Sequence, residues 1–548
     1  MKQRIFRILA LVLALCMLAG CGNSSADDLN AEANADHMKL PDFPEIPEPS
    51  KVTGDVAGEE EAETLPPPPQ MPANTPVEGY ELVTDTNVVE SANGDLRYVM
   101  IYNPEVWDPD LPGSNTTRGT GSFASQVEVD LNKGGLEELP QSMTLDQGQI
   151  NGELPLSDIL TDGNRGTFIA PVYQQGDTRT FYCYTNSDLN DSRITRNFTC
   201  AYAGEHCYVW ISDNTMSQEL AYTYGQEFDS YIYGSVTETF GMPRFAEYGS
   251  KIHLLYYPMP SYIGGCFCML DLYSSSEVSP MDIVSYGVNA DHPLLHINAD
   301  FTAYDHMQTY MRSTMAHEFQ HLIVGTNTFA TMDFNHCAAW LNEAMSGYIE
   351  ELLYPGVKEE GSGHITAFRQ SDLVRGGLSM YNFATTQSDF GVYGSVYLYS
   401  VYLSTLAGED IFSNVHDYWR NSYSTTLCEA EALANAVPQD IYDAIDMSIT
   451  YPASVSFQSE NDAWMSKLTL QFYLELLNKD SADPAAFGTI PSAELLYNEI
   501  NPAELEGGGR IIIALQGDSY QIPADADTGL IYVGLDKDFQ VVTDLIYS

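Results

Sequence analysis

Positive charge is what this sequence has least of. Its 548 residues carry 23 lysines and arginines against 76 aspartates and glutamates, a formal net charge of −53. A surface of that sign repels phosphate backbones, so nucleic acid is excluded as a partner. It keeps a chain soluble and repels anionic partners in general. No internal repeat is visible, and no full calcium-loop pattern. The nearest stretch to one, NSDLNDS (186–192), reads as a polar turn. An even set of cysteines is also missing. Apart from Cys16 and Cys21, the chain has Cys183, Cys200, Cys207, Cys266, Cys268, Cys337 and Cys428, so at least one thiol stays unpaired within it. Cys183, Cys200 and Cys207 are near enough in sequence to contain one bridge. Cys200, His206 and Cys207 fit no standard zinc spacing.

A chain of this length is too long for one core, so two or more domains are expected, and 44% hydrophobic residues suffice to pack them. Lys2, Arg4 and Arg7 precede the apolar run ILALVLALCML, which is too short to serve as a stable bilayer anchor. LAGC (18–21) follows and resembles the lipobox of bacterial lipoproteins. That resemblance implies a signal peptide over 1–20, a lipid on Cys21 and a mature chain tethered outside the cytoplasm. Residues 22–78 have few aromatics and many prolines and acids, as in LPDFPEIPEPS and EEEAETLPPPPQMPANTP. Such a segment cannot bury enough apolar surface to offset its ordering entropy. Its prolines favour extended conformations, so 21–78 reads as a lipidated, semi-stiff spacer.

Residues 79–245 read as a β-rich N-terminal domain. TRTFYCYTN and HCYVWISD, and then KIHLLYYPM just beyond, are rich in aromatic and β-branched residues between turn formers. Residues 246–450 form the next expected domain, helical from about 301. In it VYGSVYLYSVYLSTLAG has helical spacing and stops at Gly408. Residues 451–548 read as a C-terminal α/β element with RIIIALQG and GLIYVGLD as strands.

DHMQTYMRSTMAHEFQHLIVG (305–325) reads as one helix, N-capped by Asp305 and C-capped by Gly325. His317 and His321 lie one turn apart on one face and can hold a single Zn²⁺ between them. Glu318 sits about 100° around the helix from His317. It therefore points beside the metal, where it can take a proton from an attacking water and pass it to a leaving amine. AAWLNEAMSGYIEELLYPG (338–356) reads as a second helix with a core stripe of Leu341, Ala344, Met345, Tyr348, Ile349 and Leu352. Glu343 lies inside that stripe, and a carboxylate on an apolar face must be paired, protonated or bound to metal. It falls 22 residues after His321, which leaves room for the chain to turn through TNTFATMDFNHC (326–337) and run back alongside. Glu343 then supplies a third ligand and leaves a fourth position open.

HEFQH followed by WLNEAMSGY resembles the gluzincins, zinc peptidases with two histidine ligands and one glutamate, and NEAMS is similar to their thermolysin-type second helix. The longer context resembles the hyicolysin-like peptidases: GGCFCMLDLYSSS (264–276), HPLLHINAD (292–300), then STMAHEFQHLI. The likeness covers about 264–408 well. It implies an α+β fold: a gluzincin-type (thermolysin-like) catalytic domain with a mixed sheet and active-site helices, plus β-rich N- and C-terminal parts. The edge strand, read as LLHINAD (294–300), would bind substrate backbone. One zinc per chain would be held by His317, His321 and Glu343, with Glu318 as general base. A downstream tyrosine or histidine would stabilise the oxyanion; Tyr393 is the first candidate and His416 the second. Asn342 and Ser346 are near enough in sequence to support the zinc histidines. Cys266 and Cys268 depart from the pattern, standing where aromatic or small residues are expected. His336 and Cys337 precede the second helix; as a fourth ligand either would close the site and make the zinc structural. His292, His296 and His306 read as strand, turn and helix-start residues.

These readings converge on a lipid-anchored, extracytoplasmic zinc metallopeptidase acting on peptide or protein substrates. A non-catalytic surface lipoprotein that binds a polymer or protein with a structural zinc is the alternative. A solute-binding protein would need no such helix, and the sequence shows no two-lobed α/β repeat.

Overall fold

The computed structural model describes residues 79–105 and 171–548, less 85, 188–192, 213–214, 244–245, 247–249, 262, 273–286, 288, 290–291, 305–306, 329–338, 359–363, 383–389, 422–428, 453–454, 456, 458, 479–486, 488–489, 498–504, 506 and 524–528. Cys21, the leader, the spacer, most of 186–192, Asp305, His306, His336, Cys337 and Cys428 therefore lie outside the described residues.

The described chain begins with strands β1 (Tyr80–Val83), β2 (Val88–Glu90) and β3 (Tyr98–Tyr102). An antiparallel run follows: β4 (Thr178–Cys183), β5 (Ile194–Ala203) and β6 (Cys207–Ser212). Helices α1 (Gln218–Glu227) and α2 (Tyr233–Phe240) come next, then β7 (Ile252–Tyr257), β8 (Gly265–Phe267) and β9 (Leu294–Asn298). The helical part comprises α3 (Gln308–Thr328), α4 (Ala339–Leu353), α5 (His364–Gln370), α6 (Phe390–Ala407), α7 (Ile411–Asn421), α8 (Glu429–Ala436) and α9 (Gln439–Ser448). β10 (Ile449–Thr450), α10 (Glu460–Asn478), β11 (Arg510–Ala514), β12 (Ser519–Gln521), β13 (Ile531–Leu535) and β14 (Leu545–Tyr547) complete an α+β architecture.

One sheet has the order β4-β5-β6-β7-β9-β8 and is mixed. β6, β7 and β9 run parallel, while β8 returns antiparallel to β9. β7 and β9 are buried at every position, as strands covered on both faces must be. The sheet crosses the boundary expected at 245/246, because β6 and β7 are paired neighbours. A second sheet, β10-β1-β14-β13-β3-β11, interleaves strands from both ends of the described chain. The N- and C-terminal β segments, read separately in the sequence, thus share one hydrogen-bonded layer. Its interior strand β3 is fastened to α10 by Tyr102 Oη, which donates to the Ser466 carbonyl at 2.9 Å.

Two local expectations are corrected. LLHINAD is not the sheet's edge: β9 is interior, and β8 holds the edge position. Gly325 is not a cap, since α3 continues to Thr328. Its lack of a side chain serves packing instead, because a Cβ there would lie 2.7 Å from Cε1 of Phe267 on β8. Gly408, by contrast, ends α6 with φ of 92°, the left-handed conformation that glycine adopts freely.

Candidate metal centre

Helix α3 packs against β8, β9 and α4. Met311, Met315, Ala316, Phe319, Leu322 and Ile323 are buried, so a well-packed scaffold fixes the orientation of the polar residues between them. From α3, His317 and His321 turn their Nε2 atoms to within 3.0 Å of each other. From α4, Glu343 places Oε2 3.4 Å from His317 Nε2 and Oε1 3.4 Å from His321 Nε2. Donors sharing a tetrahedral ion at bond lengths of about 2.0–2.1 Å stand about 3.3 Å apart. These separations therefore fit the edges of such a site, and His317, His321 and Glu343 are the metal-competent group found among the described residues.

The polar accounting agrees with that fit. Both Glu343 oxygens and His321 Nδ1 are buried without a hydrogen-bond partner in the described structure. A buried carboxylate left so is costly unless a cation completes it. Burial opposes ionisation of Glu343, but the two imidazoles prevail and hold it below the usual carboxylate range. Burial also disfavours a charged His317; Glu350 and Glu343 outweigh this and raise that ring to about 10 in the metal-free centre. A binding metal must displace that proton.

Behind His317, Glu350 Oε1 approaches Nδ1 at 2.6 Å. The contact assigns the proton to Nδ1 and leaves the Nε2 lone pair for a metal. Lys358 Nζ reaches the same Glu350 oxygen at 2.7 Å, and Ser313 Oγ donates to Oε2 at 2.8 Å.

Glu318 lies beside the trio and is 2% exposed. It accepts a hydrogen bond from the Phe267 backbone N–H on edge strand β8, while its Oε2 has no partner in the described structure. Burial pushes its carboxyl up to about 8; Glu343 and Glu350 add to the shift and His317 opposes it. A general base needs such a group: enclosed, oriented from one side and free on the other.

Over 287 residues the chain is 26% identical to the neutral metalloprotease ShpI of Staphylococcus hyicus. The match spans 47% of this chain and 60% of that relative. The chain thus covers less than two thirds of the relative's length. No family model matches.

Tyr393, on α6, is buried and packs edge-on against His364, with ring centroids 6.1 Å apart. His416, on α7, packs edge-on against Phe240. Asn342 accepts from Gln320 at 3.1 Å and Ser346 donates to the Glu343 carbonyl. His317 Nδ1 pairs with Glu350 and His321 Nδ1 has no partner among the described residues, so neither supports a ligand histidine as sequence proximity suggested. His296 lies in β9 and bonds Asp271, and His292 lies edge-on to His253. Cys183, Cys200, Cys207, Cys266 and Cys268 are buried thiols, not disulfides. His206 stacks on Tyr233 while Cys207 Sγ faces the Gly225 carbonyl, so the two side chains are engaged in separate contacts. The sequence reading missed Glu350 and Lys358. Glu350 was legible in principle, being two helical turns after Glu343 and hence on the same face.

Proposed function

We propose that the chain is a zinc metallopeptidase of gluzincin type that hydrolyses peptide bonds in peptide or protein substrates. The observation that carries this reading is the three-donor cluster of His317, His321 and Glu343 with the partner-free oxygen of Glu318 beside it. The similarity to a neutral metalloprotease supports it. The donor set of two imidazoles and a carboxylate suits zinc and leaves one position open. When bound, zinc would polarise a scissile carbonyl and acidify water.

The protein's own groups do the rest. Glu318, held by the Phe267 amide, takes the proton of the attacking water on its free oxygen and delivers it to the departing amine. β8 presents the sheet's edge next to this carboxylate, so an extended substrate adding to that edge lies along the centre. Tyr393 is retained as the oxyanion-stabilising candidate. The N-terminal pattern ending at Cys21 supports a lipid-anchored location outside the cytoplasm. Among the described residues no helix is long and apolar enough to cross a membrane.

The test is zinc content and peptide-library cleavage of residues 22–548, with Glu318→Gln beside the wild type. One zinc per chain in both, with cleavage about 10²- to 10⁴-fold lower in the variant, is expected. Equal cleavage in the two would remove the mechanism. Zinc without cleavage in either would favour the non-catalytic lipoprotein.

A further inference from the structure

The segment after α4 folds back because Glu351 accepts from the backbone N–H groups of Gly356 and Lys358, at 2.5 and 3.0 Å. Gly356 allows the reversal with φ of 88°. The result is unusual for a lysine: Lys358 is 2% exposed, and its ammonium lies between Glu350 Oε1 at 2.7 Å and His364 Nε2 at 3.2 Å. Glu350, also 2% exposed, reaches Nδ1 of His317 from the other side. An ammonium is enclosed only where something compensates its lost hydration.

We propose that Glu350 and Lys358 act together as a positioning pair for His317, and that Lys358 completes the charge balance of the metal-loaded centre. This rests on the zinc centre proposed above. Three enclosed carboxylates, Glu318, Glu343 and Glu350, surround the two histidines. A divalent ion balances two of them, and the Lys358 ammonium balances the third. Glu350 fixes His317 with its proton on Nδ1 and its Nε2 toward the metal. Lys358 and Ser313 in turn fix Glu350, one on each oxygen. His364, at the start of α5, extends the chain of contacts to the helix that packs on α6. The metal ligand is thereby held by groups from α3, α4 and the turn after α4.

The test is zinc affinity by chelator competition on the full chain, together with the visible spectrum of the cobalt-loaded protein. Removing one member of a buried pair destabilises a fold, whereas neutralising both is tolerated. The decisive protein is therefore the double variant Glu350→Gln/Lys358→Met. It is expected to fold, to bind zinc about 10- to 100-fold more weakly than wild type, and to show an altered cobalt spectrum. Lys358→Met alone should lose at least as much affinity, and Lys358→Arg should recover most of it. A double variant that binds zinc within about twofold of wild type with an unchanged cobalt spectrum would overturn the inference and leave the peptidase reading intact, since ligand supports usually matter at least tenfold. A wild-type chain that takes up no zinc would overturn both.

Discussion

A Cβ built on Gly265 would stand 3.1 Å from Cγ of Glu318 and 2.9 Å from Cγ2 of Thr314. The edge strand therefore packs directly on the side chains of the helix bearing the candidate base, with no room for a Cβ between them. That approach lets the Phe267 amide bond the Glu318 carboxylate. Gly325 repeats the device two strand residues further on, against the Phe267 ring.

Gly265→Ala should therefore push β8 and Glu318 apart without touching a metal donor. Displacements near 1 Å at a reacting group cost up to about 10²-fold in rate. Cleavage should fall about 10- to 100-fold while zinc content stays at the wild-type value. Unchanged kcat/KM would show that the close contact has no catalytic consequence.

The metal-free protein should lose stability as pH rises. His317 is raised to about 10 and Glu318 to about 8 in the folded chain, above their unfolded values of about 6.5 and 4.3. Groups that hold protons more tightly when folded stabilise fully below the unfolded pKa and lose that contribution as pH passes the folded one. Chelator-treated protein should show a falling thermal midpoint from about pH 7 to 10, and the zinc-loaded form a flatter profile, since metal displaces the His317 proton. Parallel profiles for the two forms would count against a metal bound at His317.

Much of the site is legible in the sequence because its logic is local. The spacing of His317 and His321 is a helical turn, and Glu343 stands out as a carboxylate in an apolar stripe. The structure brings those three together. What the sequence hides is non-local. Gly325 looks like a cap until the Phe267 ring is placed over it. Lys358 looks like a surface lysine until Glu351 folds its turn inward. β9 looks like an edge until β8 pairs outside it. The pairing of β3 with β11 and β13 joins segments some four hundred residues apart, beyond the reach of any periodicity.

The thiols should be inert in the native chain. Burial raises Cys183, Cys207 and Cys266 well above an ordinary thiol and lifts Cys200 to about 12, so thiolate is scarce and access is closed. A maleimide reagent followed by peptide mapping should leave Cys183, Cys200, Cys207, Cys266 and Cys268 unmodified under native conditions. All five should label in denaturant without reductant. A requirement for reductant would mean bridged cysteines.

Asp271 follows edge strand β8 in a 3-10 turn and is wholly buried. It receives Arg193 Nη1 at 2.9 and 3.1 Å, the Asn289 amide at 2.8 Å and His296 Nε2 at 3.1 Å. Burial alone would favour a protonated acid, but Arg193 and His296 hold it ionised. Asp271→Asn would strand the Arg193 charge, a loss of about 3–5 kcal/mol by denaturant unfolding, whereas Arg193→Met/Asp271→Asn should lose much less. A single variant within about 1 kcal/mol of wild type would refute the pairing as a source of stability. The same cluster sets an acid limit. Burial pushes His296 down to about 4, so its contribution is complete above about pH 6.5 and drains away as pH falls toward 4. Because His296 pairs directly across from Cys266 on β8, acid should loosen the edge strand together with the core behind it. Exchange protection at Gly265–Phe267, taken relative to the intrinsic amide rate at each pH, should therefore fall between pH 6.5 and 4 in step with the stability loss, and protection that stays constant while stability falls would separate the two.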